Sequence, residues 1–77
     1  MKVYFIVKPL GRYTLKQLRK SLVKTFDNKK DTFRIFSSKE KGHSIALTEK
    51  AIDEKADVVV ACGGDGTINE VAQGLVE

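Results

Sequence analysis

The chain has 77 residues and a net charge of +4, which is enough for one small domain at most. Hydrophobic residues make up 42% and charged residues 31%, a balance that excludes a disordered chain. No apolar run approaches the roughly 20 residues of a membrane helix, and the apolar start is interrupted too soon by Lys8 and Pro9 for a signal peptide. We therefore expect a cytoplasmic location, with peripheral membrane association left open.

Cys62 is the only cysteine, so the sequence holds no intramolecular disulfide and no cysteine-based metal site.

Three predicted strands alternate with three predicted helices along the chain. Runs of β-forming residues predict strands at residues 2–7, 32–36 and 58–62. Apolar residues at helical spacing predict helices at residues 14–27, 42–55 and from Thr67 onward, the last with an apolar stripe of Ile68, Val71, Ala72 and Leu75. This order predicts an α/β fold, a three-layer βαβαβα arrangement with right-handed crossovers and a parallel sheet covered on both faces.

The third predicted strand is uniformly apolar over residues 58–61, as expected of a central strand in a parallel sheet. Three strands nevertheless leave two of them as edges. We interpret residues 1–77 as the N-terminal part of a larger domain.

Charge is distributed unevenly along the sequence. Residues 1–30 carry nine Lys or Arg against Asp27 alone, whereas residues 31–77 carry five against nine acids. A basic half of this kind attracts nucleic acid, an anionic bilayer or the phosphates of a small ligand. The alternative, which we favour, is that Lys16, Arg19, Lys20 and Lys24 form the solvated face of a helix.

The segment after the third strand has the pattern of a phosphate-binding turn. Three glycines, Gly63, Gly64 and Gly66, allow a sharp bend and close approach of backbone N–H groups to an anion. Thr67 and Glu70 have the spacing of a capping box, which predicts that Thr67 caps a helix whose positive end faces the turn. The alternative is an ordinary tight turn followed by a capped helix.

Ligands of open α/β sheets bind beyond the carboxyl ends of the strands, where three loops of this chain are expected to meet. These loops are residues 8–12, 37–42 and 63–67. Lys8, Arg12, Ser38 and Thr67 would there supply positive charge and hydroxyl groups beside the glycine backbone, a combination that suits a polyphosphate.

Asp65 restricts the ligand of the turn. Two like charges about 4 Å apart repel by roughly 4 kcal/mol at an effective dielectric constant near 20, so a bare anion would bind poorly beside this carboxylate. Either the carboxylate holds the turn or a substrate hydroxyl, or a divalent cation neutralises both groups. Each option favours a Mg-nucleotide or a polyol over a lone phosphate.

Other chemistry is not indicated by the sequence. No Ser/His/Asp set or carboxylate pair has the spacing that hydrolysis needs, and no Gly-Lys-Ser/Thr of a Walker loop follows the glycines. We interpret His43 as a polar residue at a helix start rather than a base, and Cys62 as a small buried residue rather than a nucleophile.

The residues from Gly63 to Val71, with Gly74 behind them, resemble the diacylglycerol kinase catalytic domain, including bacterial lipid kinases and, more distantly, sphingosine and ceramide kinases. Gly42 and His43 upstream and Pro9 after the first strand support the resemblance, which covers essentially the whole chain. NAD kinases and phosphofructokinases share a related turn, but Asn69 and Glu70 favour the lipid kinase branch.

The resemblance implies an ATP-binding α/β domain, followed by a β-rich domain that is absent here and that carries the catalytic base. It implies ATP and Mg²⁺ as cofactors and no metal ligand within the chain. The nucleotide-binding residues that it implies are Lys8, Pro9, Leu10, Gly11, Arg12, Ser38, Gly63, Gly64, Asp65, Gly66, Thr67, Ile68, Asn69 and Glu70. Lys8 stands where the family has asparagine and Gly11 comes one residue early, so the first loop departs from the family pattern.

The resemblance leads to one main functional hypothesis: the ATP-binding part of a lipid kinase that phosphorylates a hydroxyl of diacylglycerol or a related lipid in phospholipid metabolism. The fragment alone would be inactive. The expected partners are ATP and a lipid substrate at a membrane surface, without nucleic acid, and a homodimer of the full-length protein is left open. The alternatives are an NAD kinase-like or other small-molecule kinase and a free-standing module that binds anions or lipid.

Overall fold

The structure, a computed structural model, describes residues 1–8, 15–26 and 30–76. Its elements, in chain order, are β1 (Lys2–Val7), α1 (Leu15–Thr25), β2 (Thr32–Ser37), α2 (His43–Asp53), β3 (Val58–Cys62) and α3 (Asp65–Val76). The predicted α/β fold with its βαβαβα order is confirmed. Helix α3 begins two residues earlier than the sequence pattern predicts, and this shift changes the role of Thr67.

The three strands form one parallel sheet in the order β2-β1-β3. Lys2 pairs with Thr32 and Val3 pairs with Val58, so the carboxyl ends of all three strands lie at the same edge. Five consecutive residues of β1, from Val3 to Val7, are buried. Strand β1 is central among the three described strands, and β3 lies at an edge of the described sheet with Val58 exposed. That β3 becomes central in a larger domain stays a prediction.

Alternate residues of β1 face two different helical layers, which confirms the three-layer arrangement. Val3, Phe5 and Val7 form a buried cluster with Leu22 of α1. The opposite face of the sheet is covered by α2, which packs on β1, and by α3, which packs on β3. Because side chains alternate across a strand, Tyr4 and Ile6 face that second layer.

Helices α2 and α3 pack closely because small residues line their contact. The buried residues of this contact are Ser44, Thr48 and Ala51 on α2 and Thr67, Val71 and Gly74 on α3. A Cβ atom on Gly74 would lie only 2.7 Å from Cβ of Thr48. The stripe predicted from apolar spacing is therefore only partly used: Val71 is buried, whereas Ile68 and Leu75 are each about half exposed.

Helix α2 ends in a Schellman motif. The N–H of Lys55 donates to the carbonyl of Ile52 at 2.9 Å, and the N–H of Ala56 donates to the carbonyl of Ala51 at 3.0 Å. Lys55 has φ 64°, the left-handed conformation that glycine most often supplies at this position.

Candidate functional site

The candidate site lies where the chain direction switches within the sheet. Strand β1 leads to α1 on one face, and the neighbouring strand β3 leads to α3 on the other face. The carboxyl ends of β1 and β3 therefore form a switch point of the described sheet. Ligands of open α/β sheets bind at such switch points.

The glycine turn, residues 63–66, is fastened to the end of β1. The N–H of Lys8 donates to the carbonyl of Cys62 at 2.9 Å, which continues the ladder between β1 and β3 by one bond. A Cβ on Gly63 would lie 2.7 Å from Oγ1 of Thr67 and 3.3 Å from Cβ of Lys8. The turn thus requires a residue without a side chain at position 63.

Helix α3 starts directly from this turn. The carbonyl of Gly64 accepts hydrogen bonds from the N–H groups of Thr67, at 3.0 Å, and Ile68, at 3.2 Å. The first N–H groups of a helix have no intrahelical acceptor, so the amides of residues 64–66 are the donors available to a ligand. The prediction that Thr67 caps the helix was wrong, because Thr67 is the third residue of α3 and is buried beneath the turn.

A cavity of about 270 Å³ opens beside the glycine turn. Its walls combine positive charge, hydroxyl groups and carboxylates, supplied by Lys8, Ser38, Glu40, Lys41, Ser44, Gly66, Thr67 and Glu70. The hydroxyl-bearing residues Ser38, Ser44 and Thr67 are all buried. The N–H of Ser38 donates to the carbonyl of Val7 at 2.8 Å, which holds the second loop against the end of β1.

Glu70 does not complete a capping box with Thr67. Its carboxylate reaches the neighbouring helix instead, where Oε2 accepts from the N–H of Gly42 at 2.9 Å and Oε1 accepts from the N–H of Ser44 at 3.2 Å. The capping-box prediction failed because sequence spacing cannot distinguish a reciprocal cap within α3 from a cap supplied to α2.

His43 and Cys62 occupy structural positions. Nδ1 of His43 accepts a hydrogen bond from the N–H of Lys39 at 3.0 Å, which ties the first residue of α2 to the loop before it. Cys62 is partly buried against the core beneath α1, and this burial raises the pKa of its thiol. A thiol with a raised pKa is a poorer nucleophile at neutral pH.

The structure brings together many of the site residues predicted from sequence. Lys8, Ser38, Gly66, Thr67 and Glu70 all line the cavity beside the turn. Gly64, Asp65 and Asn69 are exposed, as is half of Ile68. The predicted contacts of Pro9, Leu10, Gly11 and Arg12 lie outside the described residues.

Sequence reasoning placed the loop of residues 37–42 at the site without singling out Glu40 or Lys41, and it missed Ser44. Ser38, Lys41 and Ser44 recur at intervals of three on a segment that enters α2, and this spacing was the available signal. This spacing was not informative alone, because Gly42, between Lys41 and Ser44, has φ 88° and so interrupts any regular helical spacing.

A larger groove of about 740 Å³ runs beside the outer strand β2 and is lined by Lys2, Tyr4, Arg19, Glu54 and residues 32–36. No residue of the glycine turn lines this groove, so its greater volume does not make it the better candidate for the functional site.

Among residues 1–8, 15–26 and 30–76, no three His, Cys, Asp or Glu side chains are placed to hold a metal ion together. The helices of the same residues include none with the length and apolar character needed to cross a bilayer.

Two relatives match part of this chain in sequence. A probable lipid kinase YegS-like protein of Klebsiella pneumoniae (strain 342) is 50% identical over 38 residues, which cover 49% of this chain and 13% of that protein. A diacylglycerol kinase of Staphylococcus aureus (strain JH9) is 40% identical over 42 residues, which cover 54% of this chain and 13% of that protein. The matched segment thus spans only a small part of either relative.

The fold and the turn first define a class: open parallel α/β domains with a glycine-rich turn between a strand and a helix at the switch point of the sheet. Residues 2–77, which are nearly the whole chain, match the diacylglycerol kinase catalytic domain. The chain therefore belongs to this family of lipid kinases.

Proposed function

We propose that the full-length protein transfers the terminal phosphoryl group of ATP to a hydroxyl of diacylglycerol or a related lipid, and that residues 1–77 supply part of its ATP site. The observation that carries this proposal is the position of the glycine turn, which lies at the switch point between β1 and β3. The turn borders a cavity lined by two lysines, three hydroxyl-bearing residues and two glutamates. Membership of the diacylglycerol kinase family supports the reaction class.

The phosphates of ATP would lie at the first turn of α3. The amides of residues 64–66 point out of the helix start, where the helix dipole favours negative charge. Lys8 and Lys41 line the same cavity, and neither forms a salt bridge with a described acidic side chain. Both ammonium groups are therefore available to phosphate oxygens, and the buried hydroxyls of Ser38 and Thr67 would orient the nucleotide.

The resemblance assigns no metal ligand within the chain, but the exposed position of Asp65 leads us to propose that it acts through Mg²⁺. Its side chain is exposed at the first position of α3, next to the proposed phosphate site. Mg²⁺ in nucleotide sites commonly binds one or two carboxylates together with substrate phosphates, which fits a single carboxylate at the turn. The bound cation would neutralise charge on the phosphates, while the residues of this chain hold and align the nucleotide.

The lipid acceptor is supported by the relatives and by the surface of α1. Both relatives described above carry lipid kinase or diacylglycerol kinase in their names. Lys16, Arg19, Lys20 and Lys24 are all exposed on α1 and form its solvated face, as expected from the sequence. We propose that this face also meets an anionic membrane surface, which attracts positive charge. We expect residues 1–77 alone to be inactive, because the rest of the protein is expected to complete the lipid site and to supply the catalytic base.

Phosphoryl transfer from γ-labelled ATP tests the proposal. The full-length protein should label diacylglycerol in mixed vesicles in the presence of Mg²⁺, and should not label NAD or free sugars offered as acceptors. Label on NAD or a sugar instead would favour a small-molecule kinase. Binding to anionic vesicles that falls steeply with salt, without any response to MgATP, would favour a lipid-binding module and contradict the kinase proposal.

A further inference from the structure

We infer that Glu70 is a positioning residue that joins the nucleotide turn to the second loop by capping α2 from the neighbouring helix. This inference rests on the proposed function, since it concerns how the same site is held together. The bonds that define it run from Gly42 N–H to Oε2 at 2.9 Å and from Ser44 N–H to Oε1 at 3.2 Å. Both partners lie at the amino end of α2, 28 and 26 residues away along the chain.

The amino end of α2 needs an acceptor from elsewhere. Its N-cap residue is Gly42, which has no side chain and makes no side-chain cap. The first turn of α2 also carries no acidic residue to balance the helix dipole. The Glu70 carboxylate supplies both the acceptor and the negative charge. Hydrogen bonds to an ionised acceptor are roughly twice as strong as those between neutral groups.

The cap links two loops of the proposed site. Glu70 stands in the second turn of α3, and the glycine turn leads directly into this helix. Gly42 ends the loop that holds Ser38 and Lys41 in the cavity wall. Close packing of Gly74 on Thr48 holds the two helices together about one turn beyond the cap, so the cap sets how the two helix starts face each other.

This arrangement assigns different partners to the two helix starts. An anion at the start of α2 would compete with the Glu70 carboxylate, so the phosphates are directed to the start of α3. Glu70 thus acts through the second loop rather than as a nucleotide ligand. Its removal should loosen the Ser38 and Lys41 side of the cavity and leave the glycine turn itself in place.

The test compares Glu70→Ala with Gln73→Ala in the full-length protein. Gln73 is an exposed residue of the same helix and loses a side chain of similar length, so it controls for general effects on α3. Amide hydrogen exchange is measured first without nucleotide. In the Glu70→Ala protein, exchange at Gly42 and Ser44 should accelerate by about tenfold or more, whereas Gln73→Ala should leave it unchanged.

Steady-state kinetics then test whether the cap on α2 affects the binding of MgATP. Glu70→Ala should raise the KM for MgATP by about fivefold or more, with a smaller change in kcat, because the loss affects nucleotide positioning. Unchanged exchange at Gly42 and Ser44 would contradict the claim that Glu70 caps α2. Faster exchange with an unchanged KM would contradict the claim that this cap affects nucleotide binding. A wild-type protein that shows no response to MgATP would contradict the proposed function and the coupling with it, while the exchange data would still report the cap.

Discussion

Oγ1 of Thr67 lies 2.7 Å from the position that a Cβ on residue 63 would occupy, so the buried threonine and the glycine fit against each other. The same position is 3.3 Å from Cβ of Lys8. Three parts of the site therefore meet at one point: the end of β1, the turn and the first turn of α3. This contact explains the requirement for glycine better than the general flexibility of glycine does.

Replacing Gly63 with alanine should lower the free energy of unfolding by about 1–3 kcal/mol, because Thr67 and Lys8 must shift to admit the methyl group. Gly64→Ala is the matched control, since a Cβ there meets no atom within 4 Å. It should change stability by no more than about 0.5 kcal/mol. Denaturant unfolding of both variants measures the difference, and equal stabilities would contradict the described packing of the turn.

Asp65→Ala in the full-length protein should abolish phosphoryl transfer while retaining the fold. The side chain is exposed, so its loss removes only the favourable charge at the start of α3, worth about 0.3–1 kcal/mol. Phosphoryl transfer and thermal unfolding should be measured on the same preparation, with Gln73→Ala as the control. Retention of the wild-type rate would assign Asp65 a purely structural role.

Lys55→Gly should stabilise the protein by about 1 kcal/mol. The left-handed backbone at position 55, with φ 64°, strains any residue other than glycine. Relief of this strain should outweigh the conformational entropy that the more flexible glycine adds to the unfolded chain. Ala56, the next residue, provides a control, because Ala56→Gly adds the same flexibility without relieving strain. Equal effects of the two substitutions on the denaturant midpoint would argue against the Schellman geometry.

Tyr4 should make stability depend on pH in the alkaline range. Its hydroxyl donates to Oε1 of Glu54 at 2.8 Å, and this bond, followed by burial and the Glu54 charge, raises the pKa of Tyr4. The unfolded chain loses the tyrosine proton near pH 10, before the folded chain does, so stability falls as pH rises through this range.

The Tyr4 contribution is fully present below about pH 10 and is lost as pH passes the raised pKa of the folded state. The measurement is the difference in unfolding free energy between wild type and Tyr4→Phe across this range. The difference should decline above about pH 10, since the phenylalanine variant lacks the titrating group. A difference that stays constant would refute the assigned hydrogen bond.

The order and type of the elements could be read from the sequence because each has a strong local period. Strand order could not, since an all-apolar run such as residues 58–61 indicates burial and does not say which neighbours provide it. In the structure β1 receives strands on both sides, although it begins with Lys2 and is followed directly by Lys8.

The site was predictable in position and less so in detail. The glycines and the ends of the strands located the cavity, because parallel strands bring their loops to one edge. The partner of Glu70 was not predictable, because Gly42 and Ser44 are brought to it by the packing of α2 on α3.

The central claim is that MgATP binds at the glycine turn, and amide hydrogen exchange of the full-length protein with and without MgATP tests it most directly. We predict slower exchange at residues 64–67 and around Ser38, with no change along the groove beside β2. Protection confined to residues 32–36, or no protection anywhere in residues 1–77, would contradict the claim.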